Sequence, residues 1–128
     1  MRRFVIVLIV LIAVLSFVGL SCQAQEAFRS VDVAEFERAV ADEGYVVLDV
    51  RTPEEHAEGH IQGTDFNIDV LSEGFTAEAL AVLPKDRGVA LYCRSGNRSK
   101  RAAQILAENG YTVVELAVGY KGWVAAGK

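Results

Sequence analysis

Residues 93–99 read Cys-Arg-Ser-Gly-Asn-Arg-Ser and come directly after an apolar run at residues 88–92. A cysteine at a strand end, a glycine in the turn and a helix start behind it make a device for holding an anion. Successive backbone N–H groups converge on one point as a nest. The helix dipole adds partial positive charge, and Arg94 and Arg98 add full charges. A thiol in that cradle ionises readily, and the thiolate is the nucleophile. Cys93 is therefore the expected nucleophile. Gly96 lets the backbone turn tightly enough for the N–H groups to meet. Ser95, Asn97 and Ser99 complete the loop, with the two serine hydroxyls placed to add hydrogen bonds. A lone cysteine is most often a small buried hydrophobe, with basic residues nearby forming a solvated helix face. The coincidence of nest, dipole and guanidinium groups argues against that alternative here. A metal site lacks ligands: His56 and His60 are the two histidines, and neither sits with a second cysteine. No metal and no cofactor is expected.

The elements that must position this loop alternate along the chain. Residues 28–31 suit a short strand. Asp32 then reads as an N-cap, with Glu35 three residues on in a capping-box-like pattern. Val33, Phe36, Ala39 and Val40 share one helical face, and Gly44 is the expected stop. Residues 45–50 form a continuous apolar run, as in a strand buried on both sides. Thr52 is a cap, with Pro53 in the first turn and acids after it. Next come a short strand at 66–68, a helix at 76–83 ended by Pro84, a strand at 88–92 and a helix at 97–109. A last strand at 112–116 and a closing helix at 119–126 complete the series. Alternating helices and apolar strands predict an α/β fold: a small parallel sheet of about five strands flanked by helices on both faces. Ligands of such sheets bind beyond the carboxyl ends of the strands, where residues 93–99 lie. Asp49 and Arg51 flank Val50 and point to the same side. They are expected to support the loops through an ion pair with Glu55 or a neighbour. His60 is expected to tether a loop by a hydrogen bond, and Tyr120 and Trp123 to close the core.

The chain has 128 residues, 52% hydrophobic and 23% charged, which suits one globular domain. The apolar share is uneven, because residues 4–20 carry no charge and no proline. Met1-Arg2-Arg3 before that run reads as a secretory signal. Cleavage after Ala24 is one expectation. The other is lipidation, since Gly19-Leu20-Ser21-Cys22 resembles the bacterial lipoprotein motif, apart from Gly19 where leucine is preferred. An uncleaved membrane anchor is the third. The expected organisation is a leader at 1–24 and a single domain at 25–128. The expected location is outside the cytoplasm of a bacterium, in the periplasm or attached to the membrane through the N-terminus. With Cys22 removed or lipidated, Cys93 remains as a free thiol rather than half of a disulfide. The formal charge is −4. Without Arg2 and Arg3 the remainder is more acidic still, which argues against a nucleic-acid partner.

At the loop the sequence resembles the rhodanese (thiosulfate sulfurtransferase) homology domain. Cys93-Arg94-Ser95-Gly96-Asn97-Arg98-Ser99 is similar to that family's active-site loop. Asp49-Val50-Arg51-Thr52-Pro53-Glu54-Glu55 is similar to its first signature, and Gly59-His60-Ile61-Gln62-Gly63 to its Gly-His-Ile-x-Gly element. Leu116 and Gly119-Tyr120-Lys121-Gly122-Trp123 resemble its closing segment. His56, Thr64 and Val118 depart from the pattern, where an aromatic residue, alanine and glycine are usual. The resemblance implies a sulfurtransferase that moves sulfur through a Cys93 persulfide. The donor is a small anion such as thiosulfate, polysulfide or a persulfide, and the acceptor a thiol or a cyanide-like nucleophile. Arg94 and Arg98 would position the donor. A persulfide carrier or sensor without turnover is the second expectation. Cysteine phosphatase or arsenate reductase chemistry ranks below both. Those phosphatase loops span Cys-x5-Arg, whereas Cys93 to Arg98 is Cys-x4-Arg, a tighter cradle.

Overall fold

A computed structural model describes residues 27–128; the expected leader at 1–24, Cys22 included, lies outside the described residues. The described elements run β1 (Arg29–Val31), α1 (Val33–Ala41), β2 (Tyr45–Asp49), α2 (Pro53–Glu58) and β3 (Phe66–Asn67), then α3 (Phe75–Val82), β4 (Gly88–Tyr92), α4 (Asn97–Glu108), β5 (Val113–Leu116) and α5 (Gly119–Ala125). The five strands form one parallel sheet in the order β1-β5-β4-β2-β3. This is the expected α/β architecture. β4 lies at the centre, so the loop after Tyr92 emerges in the middle of the carboxyl edge.

Period-two alternation divides the strand side chains between two cores. Leu48, Val89, Leu91 and Val113 pack with Phe75 and Ala79 of α3 and with Ala102, Ala103 and Leu106 of α4. Val47, Ala90, Tyr92, Val114 and Leu116 pack on the other face with Phe36 of α1 and with Tyr120 and Trp123 of α5. The strands are apolar on both sides because both sides are covered. The same alternation separates two neighbours at the end of β4. Tyr92 joins the α1/α5 core, and Cys93 joins the α3/α4 core.

Two local details differ from expectation. α1 stops at Ala41 rather than at Gly44: Asp42 turns extended, and its carboxylate accepts the Gly44 N–H at 2.8 Å. Asp32 caps α1 by accepting the Glu35 N–H at 2.9 Å, but the Glu35 carboxylate faces Arg29 instead of reaching back. The reciprocal capping box occurs at α2, between Thr52 and Glu55.

Candidate active site

Cys93 comes directly after β4 and is 1% exposed. Its sulfur accepts the Gly96 N–H at 3.1 Å and lies 3.4 Å from the Ser99 hydroxyl. Burial pushes the thiol up. The Ser99 hydroxyl and the backbone N–H groups of Ser99, Gly96 and Ser95 outweigh it, so the pKa falls below the ordinary thiol value. The predicted nest is present.

Two glycines allow the loop to close. Gly96 caps α4 with φ +98°, and a Cβ there would stand 2.1 Å from the Ala117 carbonyl oxygen. Gly119 has φ +64°, and a Cβ there would stand 2.3 Å from the Arg94 carbonyl oxygen and 2.6 Å from the Ser95 nitrogen. The start of α5 thus presses against the loop backbone. It also bonds to it: the Tyr120 N–H donates to the Cys93 carbonyl at 2.8 Å, and the Lys121 N–H to the Arg94 carbonyl at 3.0 Å. Carbonyl and N–H point opposite ways across one peptide plane. Holding the two carbonyls toward α5 therefore turns the N–H groups of Arg94 and Ser95 the other way, and that of Ser95 is among those that favour the Cys93 thiolate. Sequence patterns assigned no such role to Gly119, Tyr120 or Lys121, because the contact joins segments more than twenty residues apart.

The two arginines part company. Arg98 donates bidentately to Glu55, at 2.7 and 2.9 Å. These bonds, with smaller help from Thr52, hold the Glu55 carboxyl down at about 2 despite its burial. Of the two expected partners for Asp49 and Arg51, Glu55 or a neighbour, it is a neighbour that pairs, and Glu55 joins Arg98 instead. Arg94 is exposed and borders a recess of about 380 Å³ that Arg51, Glu55, Tyr120 and Lys121 also line. Asn97 is exposed at the start of α4, and Ser95 is exposed in the loop.

Asp49 and Arg51 pair with each other. The guanidinium donates to Asp49 at 2.9 and 2.7 Å and to the Gly59 carbonyl at 2.7 Å. It stacks between Tyr92 and Tyr120, with ring centroids at 5.5 and 4.5 Å. His56 Nδ1 completes the set, 3.0 Å from Asp49. This group sits on the Tyr92 side of the sheet, away from the Cys93 sulfur, which suits support rather than chemistry. His60 stacks on His56 at 4.0 Å and bonds the His56 carbonyl at 3.0 Å. The tether is there, though within residues 56–60. Tyr92 accepts the Ile61 N–H at 3.1 Å and bonds Thr64 at 2.9 Å, and burial pushes its hydroxyl up to about 12. Two of the departures from the family pattern, His56 and Thr64, thus both hold this support in place.

One functional group was not expected from the sequence. Glu115 lies in β5 with 0% exposure. Its carboxylate accepts the Ser99 hydroxyl at 2.6 Å, the Lys100 ammonium at 3.1 Å and the Ser30 hydroxyl. The signal was available: a charged residue inside a strand whose other positions are apolar has no water to face.

Comparison with known proteins agrees with this geometry. The model of the rhodanese-like domain matches residues 32–126. The chain is 45% identical over 74 residues to thiosulfate sulfurtransferase PspE of Escherichia coli, covering 58% of this chain and 69% of that one. It is 34% identical over 101 residues to a sulfurtransferase of Allochromatium vinosum, covering 77% and 91%. Among solved structures, a rhodanese-related protein of Thermoplasma volcanium superposes with a TM-score of 0.68 at 31% identity, covering 78% and 94%.

Proposed function

The chain belongs to the rhodanese-like domain family, and on that premise we propose that it is a sulfurtransferase working through a persulfide on Cys93. The observation that carries this reading is the Cys93 sulfur held by backbone N–H groups where α4 begins. In the first step the thiolate attacks the outer sulfur of thiosulfate. A bond forms between Sγ and that sulfur, the bond to the sulfonate sulfur breaks, and its electron pair leaves with sulfite. In the second step an acceptor such as cyanide or a thiolate attacks the outer sulfur. The electron pair of the disulfide-type bond returns to Sγ and restores the thiolate. The charge on the terminal sulfur of the intermediate is of the kind that a nest stabilises.

Arg94 and Lys121, bordering one recess, supply positive charge for an anionic donor. Arg98 is engaged by Glu55, so its contribution is to brace α4 against α2 and to lend longer-range charge. That engagement also weighs against a phosphatase, in which the loop's last arginine must face the bound phosphate.

We further propose that the leader at 1–24 holds an export signal that is cut before Cys22, leaving Cys22 as the lipidated first residue ahead of the exported domain at 25–128. Mass spectrometry of the mature protein tests this: a start at Cys22 carrying acyl mass supports it, and retention of Met1 overturns it. The catalytic reading is tested with the purified full-length chain. Thiosulfate should add one sulfur to Cys93 by mass and yield thiocyanate with cyanide, and Cys93→Ser should lose both. No added sulfur with any sulfane donor would refute the reading. A stable persulfide without turnover would replace it with the carrier.

A further inference from the structure

Ser99 has one hydroxyl proton and two neighbours that want it. Glu115 Oε2 lies at 2.6 Å and the Cys93 sulfur at 3.4 Å. A buried carboxylate accepts only, so the short bond takes the proton. The Ser99 oxygen then turns a lone pair toward sulfur. In that state it can receive the S–H of a thiol and has nothing to give a thiolate; the help that the Ser99 hydroxyl lends to thiol ionisation comes only when it turns from Glu115 to the sulfur.

We propose that Glu115 is a positioning residue that restrains Cys93, holding the Ser99 proton away from the sulfur and so favouring the thiol over the thiolate. The thiolate gains the Ser99 hydrogen bond only when the hydroxyl swings from Glu115 to Sγ. The swing breaks one hydrogen bond and makes one, with no net transfer of atoms. The backbone N–H groups of Ser95, Gly96 and Ser99 pull toward the thiolate throughout. Glu115 therefore sets how far the nest succeeds.

The groups around the carboxylate decide how hard it pulls. From β1, Ser30 donates to Oε1, and it stands opposite Glu115 in the strand register. From α4, Lys100 pairs with Oε1 at 3.1 Å and also donates to the Gly96 carbonyl at 3.0 Å. Arg98, bonded to Glu55, is a cation whose charge also couples to Cys93. Removing a donor from Glu115 leaves it more dependent on Ser99. Replacing its carboxylate by an amide lets the amide N–H donate to the Ser99 oxygen and frees the hydroxyl for sulfur.

The inference rests on Cys93 as the nucleophile of the proposed transfer. Its readout is iodoacetamide alkylation of Cys93 in the full-length chain as a function of pH. Alkylation reports the thiol whether or not sulfur is transferred, so the two readings fail separately. Glu115→Gln should lower the alkylation midpoint, with a rate about five- to tenfold higher at a pH below the wild-type midpoint. Ser30→Ala, at an exposed position of an edge strand, should raise the midpoint by a smaller amount. Placed in a Ser99→Ala background, Glu115→Gln should lose most of its effect. A midpoint that rises in Glu115→Gln overturns the inference. So does a Glu115→Gln effect that persists in full without Ser99, which would make it through-space charge. Should Glu115→Gln fail to fold by thermal melt, Ser30→Ala decides alone: a lowered or unchanged midpoint overturns the proposal.

Discussion

Two carboxylates with 0% exposure flank the central strand, Asp49 at the end of β2 and Glu115 in β5. Each is neutralised by a cation and fully hydrogen-bonded, as buried charges must be. The difference is in what they hold. Asp49 binds Arg51 two residues on and His56 seven residues on, and its network closes on Tyr92 and Tyr120. Glu115 binds Ser30, Ser99 and Lys100, and through Ser99 its network reaches the nucleophile. One carboxylate makes a rigid wall from residues near it in sequence. The other makes an adjustable contact from residues brought in by the fold. Similar burial thus supports two functions, and the partner at the end of the chain of bonds decides which.

The strongest way to break this comparison is Asp49→Asn. It leaves the buried Arg51 guanidinium without its counter-charge, for an expected loss of about 3–5 kcal/mol in urea unfolding. If Asp49 is wall only, the alkylation midpoint of Cys93 in the folded variant should scarcely move. A shift as large as that of Glu115→Gln would erase the distinction.

Gly119→Ala attacks the contact between α5 and the loop. A Cβ 2.3 Å from the Arg94 carbonyl oxygen, at positive φ, cannot be absorbed by a flexible side chain. A loss of about 2–4 kcal/mol is expected, with slower persulfide formation by mass spectrometry. Wild-type persulfide kinetics in a destabilised variant would show that α5 braces the fold but does not aim the loop.

The Glu55–Arg98 pair gives a pH signature. Its folded-state carboxyl sits at about 2, below the ordinary value near 4.5. The pair's contribution is therefore complete above the ordinary value and is lost as pH falls toward 2. Glu55→Gln should cost about 1–3 kcal/mol at neutral pH and remove that part of the acid dependence. Unfolding free energies measured between pH 7 and pH 3 check both, and parallel curves for variant and wild type would contradict the pairing.

The smallest effect is expected from Arg94→Ala. An exposed charge beside the recess should act on donor encounter, raising KM for thiosulfate by about threefold to tenfold with kcat little changed, and less so at high salt. A fall in kcat at unchanged KM would place Arg94 in the chemical step instead.

Much of the site was legible because its parts are local. Residues 88–99 carry the strand, the nucleophile, the turn glycine and the helix start in one stretch, so dipole and nest emerge from order alone. Asp49 and Arg51 also met as expected, since alternation puts residues two apart on one side. The choice between Glu55 and a neighbour stayed open because the partner of Glu55, Arg98, lies on another helix, and nothing local ranks it above Arg51. Glu115 was passed over as one residue of an apolar strand, although its charge in that setting demanded partners.

The amino-acid order by itself determined the alternating elements, the parallel sheet and a thiol at its carboxyl edge, because periodicity, capping and turn chemistry act over a few residues; only the strand order put that thiol at the centre. The tertiary structure decided which charges meet. Parallel strands pair residues far apart in sequence. That pairing set Ser30 beside Glu115, brought α4 down to place Ser99 between Glu115 and Cys93, and laid the start of α5 across the loop.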